Sequence, residues 1–194
     1  MERDLGTHLE TALKGAIIPD RWPKSGLEIA VMVLEGEDDA ETRQGTKGGV
    51  EGVGLMNVLA ACITVAAAAL ADARIDCLDL VSGGVAAIVP GSDGKMVRIL
   101  DPSPVEHDDL VAACVVGYLP SRDEITEIWA RGGLSSQEAG FDELIDGAVA
   151  AARGTHMVLQ EVVKESTNTR ARADGLKEKL SARNDAMNDV EMIT

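Results

Sequence analysis

Apolar residues recur at helical spacing at the start of the chain. Leu5, Leu9, Leu13, Ala16 and Ile17 form one stripe over residues 2–18, while Glu10 and Lys14 stand four apart on another face. The pattern predicts an amphipathic helix, ended by Pro19 and Pro23. Leu27 to Leu34 (LEIAVMVL) is a short apolar run rich in branched residues, which predicts an interior strand. The patterning then stops. Residues 36–54 are Gly-rich and acidic, with too little apolar surface to bury, and predict a mobile surface loop. Met56 to Ala73 is apolar around most of a helical circumference and predicts a helix enclosed on most sides.

Four strand-like runs follow, Cys77–Val89, Met96–Leu100, Leu110–Leu119 and Ile125–Ala130, divided by turn residues at PGSDGK, DPSP and PSRD. Successive strands with no helix between them predict antiparallel neighbours. A long helix is expected from about Ser136 to Ser166, capped by Ser135 or Ser136, with Glu138, Asp142 and Glu143 in or near its first turn. From Thr167 the chain is charged and only weakly periodic at Leu176, Leu180, Met187 and Val190, and a disordered tail is preferred there over a frayed helix. The reading is therefore one α+β domain over residues 1–166 and a charged tail over 167–194.

Composition narrows this picture. Aromatic residues make up 2% of the 194 residues, so Val, Ile, Leu and Ala must fill the core, and an Ala-rich core gains little area per residue. A net charge of -15 opposes binding of a phosphate backbone through a basic face. Cys62, Cys77 and Cys114 fit neither a disulfide framework nor a zinc motif and read as buried core thiols in a reducing compartment. The start MERDLGTHLE lacks the basic-then-apolar pattern of a secretory signal. Met56–Ala73 is about as long as a bilayer span but nearly half Ala, so a buried helix with no membrane role is expected.

No catalytic motif is visible in the residues themselves. GEDDAETRQGTKGG is not a phosphate loop, because Thr46 intervenes where Lys must follow the second Gly. Glu106, His107, Asp108 and Asp109 cluster in a predicted turn, where solvated charge is the ordinary outcome. His8, His107 and His156 share no metal-ligand spacing, and Ser82 in VSGGV lacks the nucleophile elbow.

Five pieces nevertheless occur in a recognisable order: ERDLGTHLETALKGAI, WPKSGLEIAVMVLE, ITVAAAALADARIDCLDLVSG, RILDPSPVEHDD and GYLPSRDEITEIW. From Glu2 to about Glu165 the chain resembles the RNase PH family. Within that family it is most similar to ring subunits of the eukaryotic RNA exosome, of the mRNA-transport (MTR) type, since VLE precedes the glycine loop and LDP replaces the usual LDL. The resemblance implies an RNase PH-like domain with a mixed or antiparallel sheet, a buried Ala-rich helix and a long C-terminal helix. It also implies that several N-terminal strands of the family domain lie outside this chain.

For function, the resemblance implies a heterodimer with other RNase PH-like subunits in a six-subunit ring, joined by a cap subunit with RNA-binding domains. RNA would pass through the assembled ring to a separate nuclease, in the nucleus and nucleolus and also in the cytoplasm. Active members of the family cleave RNA with phosphate, using an Arg at the N-terminus of the buried helix and an Asp before a later strand end. Anchoring on the matching pieces puts Leu59 at the first position and Ala113 at the second. A slip of one residue gives Val58 or Ala60 and Ala112 or Cys114, none of which supplies the missing group. The expectation is a non-catalytic subunit without cofactor or metal; the rival is a phosphate-dependent exoribonuclease or an unrelated acidic interaction domain.

Overall fold

The computed structural model describes residues 2–21, 23–36, 52–91, 95–107, 109–133 and 140–191, with side chains described from Asp4 to Gly175. Its elements are α1 (Glu2–Lys14), a 3-10 turn (Pro19–Arg21), α2 (Val53–Asp72), β1 (Ser82–Pro90), β2 (Met96–Leu100), β3 (Ala112–Leu119), β4 (Glu124–Gly132) and α3 (Gly140–Glu191). The four strands form one antiparallel sheet in the order β2-β1-β3-β4. This is the expected α+β arrangement, with each of the four strand-like runs supplying one strand.

The sheet is covered on both faces, and two adjacent glycines of β1 show how closely. A Cβ on Gly83 would meet the Ala60 backbone of α2 at 2.2 Å, and one on Gly84 would meet the Ala152 nitrogen of α3, also at 2.2 Å. Successive strand residues point to opposite faces, so only two glycines in a row let both helices approach the same strand. Side chains tie the layers together. Thr64 Oγ1 accepts from the Gly83 N–H at 3.0 Å, and Ser82 Oγ donates to the Ala152 carbonyl at 2.9 Å. The α3 face buries Ala86, Ile88, Cys114, Val116 and Tyr118 against Leu144, Ala148 and Ala152. Small side chains at these contacts explain how a core almost without aromatics closes: backbones approach until methyl groups touch.

On the other face, α2 buries Leu59, Ile63, Ala66, Ala67 and Leu70. This helix is long and apolar enough to cross a bilayer, yet half of its most apolar window is enclosed by its own chain. Ala12, Leu13 and Ala16 of α1 and its continuation are buried beside it, and the expected Glu10–Lys14 pair forms at 2.6 Å. At its C-terminus α2 closes with a left-handed residue: Arg74 has φ 60, Arg74 N–H donates to Ala71 and Ile75 N–H donates to Leu70. That hydrogen-bond pattern satisfies the last carbonyls of a helix and normally recruits Gly.

The structure differs from the sequence reading in several places. Leu27 to Leu34 is not a strand: no described strand pairs with it, and Met32 and Leu34 are 83% and 89% exposed. A strand needs a partner for its backbone groups, and apolarity alone does not supply one. Residues 77–81 are outside β1; Cys77 makes a single bridge to Ile17 instead. Of the three thiols only Cys114 is fully buried, while Cys62 and Cys77 are partly exposed. The loop expected at 36–54 falls, for residues 37–51, outside the described residues, as do Ser135, Ser136 and Glu138.

The chain divides into two compact units, Met1–Leu159 and Gln160–Thr194. The second is helical through Glu191 where a disordered tail was preferred, and its described side chains from 160 to 175 are almost all exposed. Good helix formers (Ala, Leu, Arg, Lys, Glu, Gln and Met) make up just over half of residues 160–191 and favour helix there.

Candidate functional site

The resemblance directs attention to the N-terminus of α2. That end is capped by Gly52 with φ 92, carries no side-chain cap and has no acidic residue in its first turn. The positive φ favours Gly, and the Arg131 guanidinium packs over it: a Cβ at Gly52 would lie 2.9 Å from Arg131 Nη1. Arg131 reaches this point from β4, where it is the register partner of Ala113 on β3. Ala113, Arg131 and the start of α2 are therefore brought together. Leu59 is not among them, because it stands in the second turn of α2 and is buried with the core.

Neither position can do acid–base or phosphate chemistry. Leu59 is 1% exposed and Ala113 0%, so no phosphate oxygen can reach either, and neither side chain offers a donor or a proton. Arg131 is engaged elsewhere as well, its guanidinium carbon lying 4.8 Å from the centroid of Trp129.

Trp129 is the centre of a ladder that sequence reasoning missed. Glu127, Trp129 and Arg131 alternate along β4 and share the face toward α1. The His8 ring of α1 stacks on Trp129 with centroids 5.0 Å apart and planes 15° from parallel, and His8 Nδ1 meets Glu127 Oε1 at 2.8 Å. The i, i+2, i+4 spacing of Glu, Trp and Arg was legible; that His8 would supply the fourth member was not, because His8 lies 119 residues away.

A second network joins α3 to the hairpin between β3 and β4. Tyr118 Oη donates to Asp123 Oδ1, and Arg153 Nη2 donates to both, at 2.8 Å and 3.0 Å. The Tyr118 hydroxyl and then Arg153 hold the Asp123 carboxyl below its ordinary range, while burial and then Asp123 push the Tyr118 phenol up. Asp123 has φ 54, a conformation that Asp tolerates better than most residues. Asp79 supports the same corner by accepting from the Ser121 N–H at 3.0 Å. This is a clamp on the fold, not a reactive set.

The remaining candidates separate. Ser82 is buried and spends its hydroxyl on Ala152. His156 is buried and its Nδ1–H donates to the Leu80 carbonyl at 3.0 Å. Glu106 and Asp109 are exposed in a turn and Asp108 lies outside the described residues. Among the described residues no group of three or more His, Cys, Asp or Glu is gathered for a metal ion.

Comparison with known proteins follows the same line. No protein-family model matches the chain. It is 51% identical over 166 residues to exosome complex component MTR3 of Chaetomium thermophilum, an alignment covering 85% of this chain and 58% of the relative. It is 30% identical over 174 residues to exosome complex component MTR3 of Homo sapiens, covering 90% and 55%. It is 29% identical over 154 residues to exosome complex component Rrp41 of Pyrococcus furiosus, covering 79% and 52%. The chain thus spans 52% to 58% of the length of these relatives. Half-identity across most of its own length, on an antiparallel sheet clasped by a buried Ala-rich helix and a long C-terminal one, makes this chain a homologue of the MTR3-type exosome components, with an RNase PH-like domain.

Proposed function

We propose that the chain is a non-catalytic subunit of the RNA exosome ring. It takes its place beside other RNase PH-like subunits, in a heterodimer within a six-subunit ring that also carries a cap subunit with RNA-binding domains. It supports 3′–5′ RNA processing and degradation by channelling RNA to a separate nuclease, in the nucleus and nucleolus and in the cytoplasm. The observation that carries this reading is the 51% identity to an exosome component over 85% of the chain.

The absence of catalysis is supported by the two buried apolar residues, Leu59 and Ala113, at the positions the resemblance assigns to phosphate binding and proton transfer. A lost charge-assisted contact is worth about 1.5–3 kcal/mol, and a lost general acid or base about 10²- to 10⁴-fold in rate. Restriction of RNA contact to the assembled ring is supported by the charge of -15, which opposes any binding by the chain alone. The domain reading, residues 1–166 followed by a charged segment 167–194, belongs to the same proposal.

The test has two arms. The tagged full chain, purified from its own cells, is expected to bring down RNase PH-like exosome subunits in equal amounts. Incubated with RNA and phosphate, the isolated chain is expected to release no nucleoside diphosphate. Absence of exosome subunits would sink the ring assignment, and diphosphate release would sink the non-catalytic one.

A further inference from the structure

The C-terminal part of α3 carries an apolar pattern that the sheet does not use. Residues 160–191 are helical, and the described side chains from 160 to 175 are almost all exposed. Between Lys164 and Glu191 the large aliphatic residues are Leu176, Leu180, Met187 and Val190. All four fall in one register of alternating four- and three-residue steps, which begins at Val162, 54% exposed, and also passes through Ala173 and Arg183. The seam is two positions wide in every seven. A helix that lies on a sheet or in a globular core shows a broader stripe, with a third apolar position beside the first two. Here those neighbouring positions hold Arg172, Lys177 and Lys179, so strands of the same domain that lie outside this chain do not fit the seam. A second helix does, because knobs two positions wide are what a coiled coil buries.

Charge selects the kind of helix. Five of the six Lys and Arg of residues 160–191 stand in or beside the seam: Arg170, Arg172, Lys177, Lys179 and Arg183. Five of the seven Asp and Glu stand away from it: Glu161, Asp174, Glu178, Asp185 and Asp189. A second copy in parallel would set Arg183 against Arg183 inside the seam and Arg172 against Lys177 at its flank. An antiparallel copy centred on Leu176 and Leu180 would set the same basic cluster against itself. RNA would find no aromatic residue in 160–191 on which to stack a base, and would leave the four aliphatic residues in water. A membrane-bound helix carries Lys and Arg on the polar face, where this one carries its acids. A helix with Asp or Glu beside its own apolar seam answers both the seam and its basic flanks.

We infer that the C-terminal part of α3 is one member of a heteromeric coiled coil whose partner is an acidic amphipathic helix of another protein. This contact is additional to the ring assignment and stands without it. The test uses the full-length protein and two synthetic helices of about four heptads as probes, with Ile and Leu in both seams and either Glu or Lys at every flanking position. The Glu probe is expected to bind at least tenfold more tightly than the Lys probe. In the triple variant Arg172→Glu, Lys177→Glu, Lys179→Glu the preference is expected to reverse, a result that misfolding cannot produce. Equal binding of the two probes, or a preference that the triple variant leaves unchanged, would overturn the inference. In cells, a photo-reactive amino acid in place of Asn184, beside the seam, is expected to cross-link to a helix of another protein that has apolar residues at the same spacing and acids next to them. A cross-link to RNA, to lipid, to a second copy of this chain or to another part of the same protein would overturn it, as would none at all.

Discussion

Adding one methyl group to Gly84 tests one of the two tightest backbone approaches among the described glycines. In Gly84→Ala the new Cβ would sit 2.2 Å from the Ala152 nitrogen and 2.3 Å from the Ala148 oxygen, both of them helix backbone. Neither atom can swing aside as a side-chain tip would, so α3 must retreat by more than an ångström or β1 must bend. Overpacking of this kind costs about 1–3 kcal/mol. Retreat also stretches the Ser82–Ala152 and His156–Leu80 hydrogen bonds on the same helix, 2.9 Å and 3.0 Å long, each worth roughly 0.5–1.5 kcal/mol net. The expected loss is therefore about 3–4 kcal/mol, a large part of the ~5–15 kcal/mol that holds an ordinary domain together. Gly154→Ala is the matched control. It lies in the interior of α3, its added Cβ meets nothing within 4 Å, and the change should stabilise by about 0.5–1 kcal/mol. Urea unfolding followed by circular dichroism should give a lower midpoint for the first variant and a higher one for the second, at unchanged slope. Coincident midpoints for Gly84→Ala and the unmodified chain would refute the claim that α3 is pressed onto β1.

Arg74→Gly should raise the urea midpoint by the equivalent of about 0.5–1 kcal/mol, because φ 60 costs a residue with a Cβ and costs Gly little; a lower midpoint would refute the left-handed cap. Burial pushes the Cys114 thiol up to about 12, so at pH 8 iodoacetamide should label it only after unfolding, and native labelling would refute its burial. Since that folded value lies above the ordinary thiol range, the stability it contributes is fully present below about pH 8.5 and is lost as pH rises toward 12, which an alkaline unfolding series should register. The Leu59→Arg, Ala113→Asp double variant should melt the domain instead of gaining phosphorolysis, since both side chains would be charged inside the core; a folded, active variant would refute the placement of these residues. Single-stranded RNA should bind the isolated chain more weakly than micromolar at physiological salt, measured by fluorescence anisotropy, and tighter binding would refute the charge argument.

What the sequence determined by itself was whatever local pattern can fix. The helical stripe of Leu5, Leu9 and Leu13, the apolar circumference of 56–73 and the turn residues at PSRD each produced the element they predicted, because period and turn chemistry act within a few residues. The four strands without helices between them likewise dictated an antiparallel sheet. Tertiary structure decided everything that depends on a distant partner. LEIAVMVL has a strand's composition and forms no ladder, since no described strand pairs with it, whereas the shorter MVRIL becomes β2 because β1 is there to receive it. Gly83 and Gly84 lie inside the run Cys77–Val89, read only as strand, and prove to be the floor on which two helices rest. The resemblance sets Leu59 where a phosphate-binding Arg would stand at the helix N-terminus, and it lies in the core, because α2 begins at Val53 and its second turn faces the sheet. His8, Trp129 and Arg131 could not be joined in advance, nor Tyr118, Asp123 and Arg153: side-chain networks form between residues whose separation in sequence carries no information about their distance, which only the packing of α1 and α3 on the sheet sets.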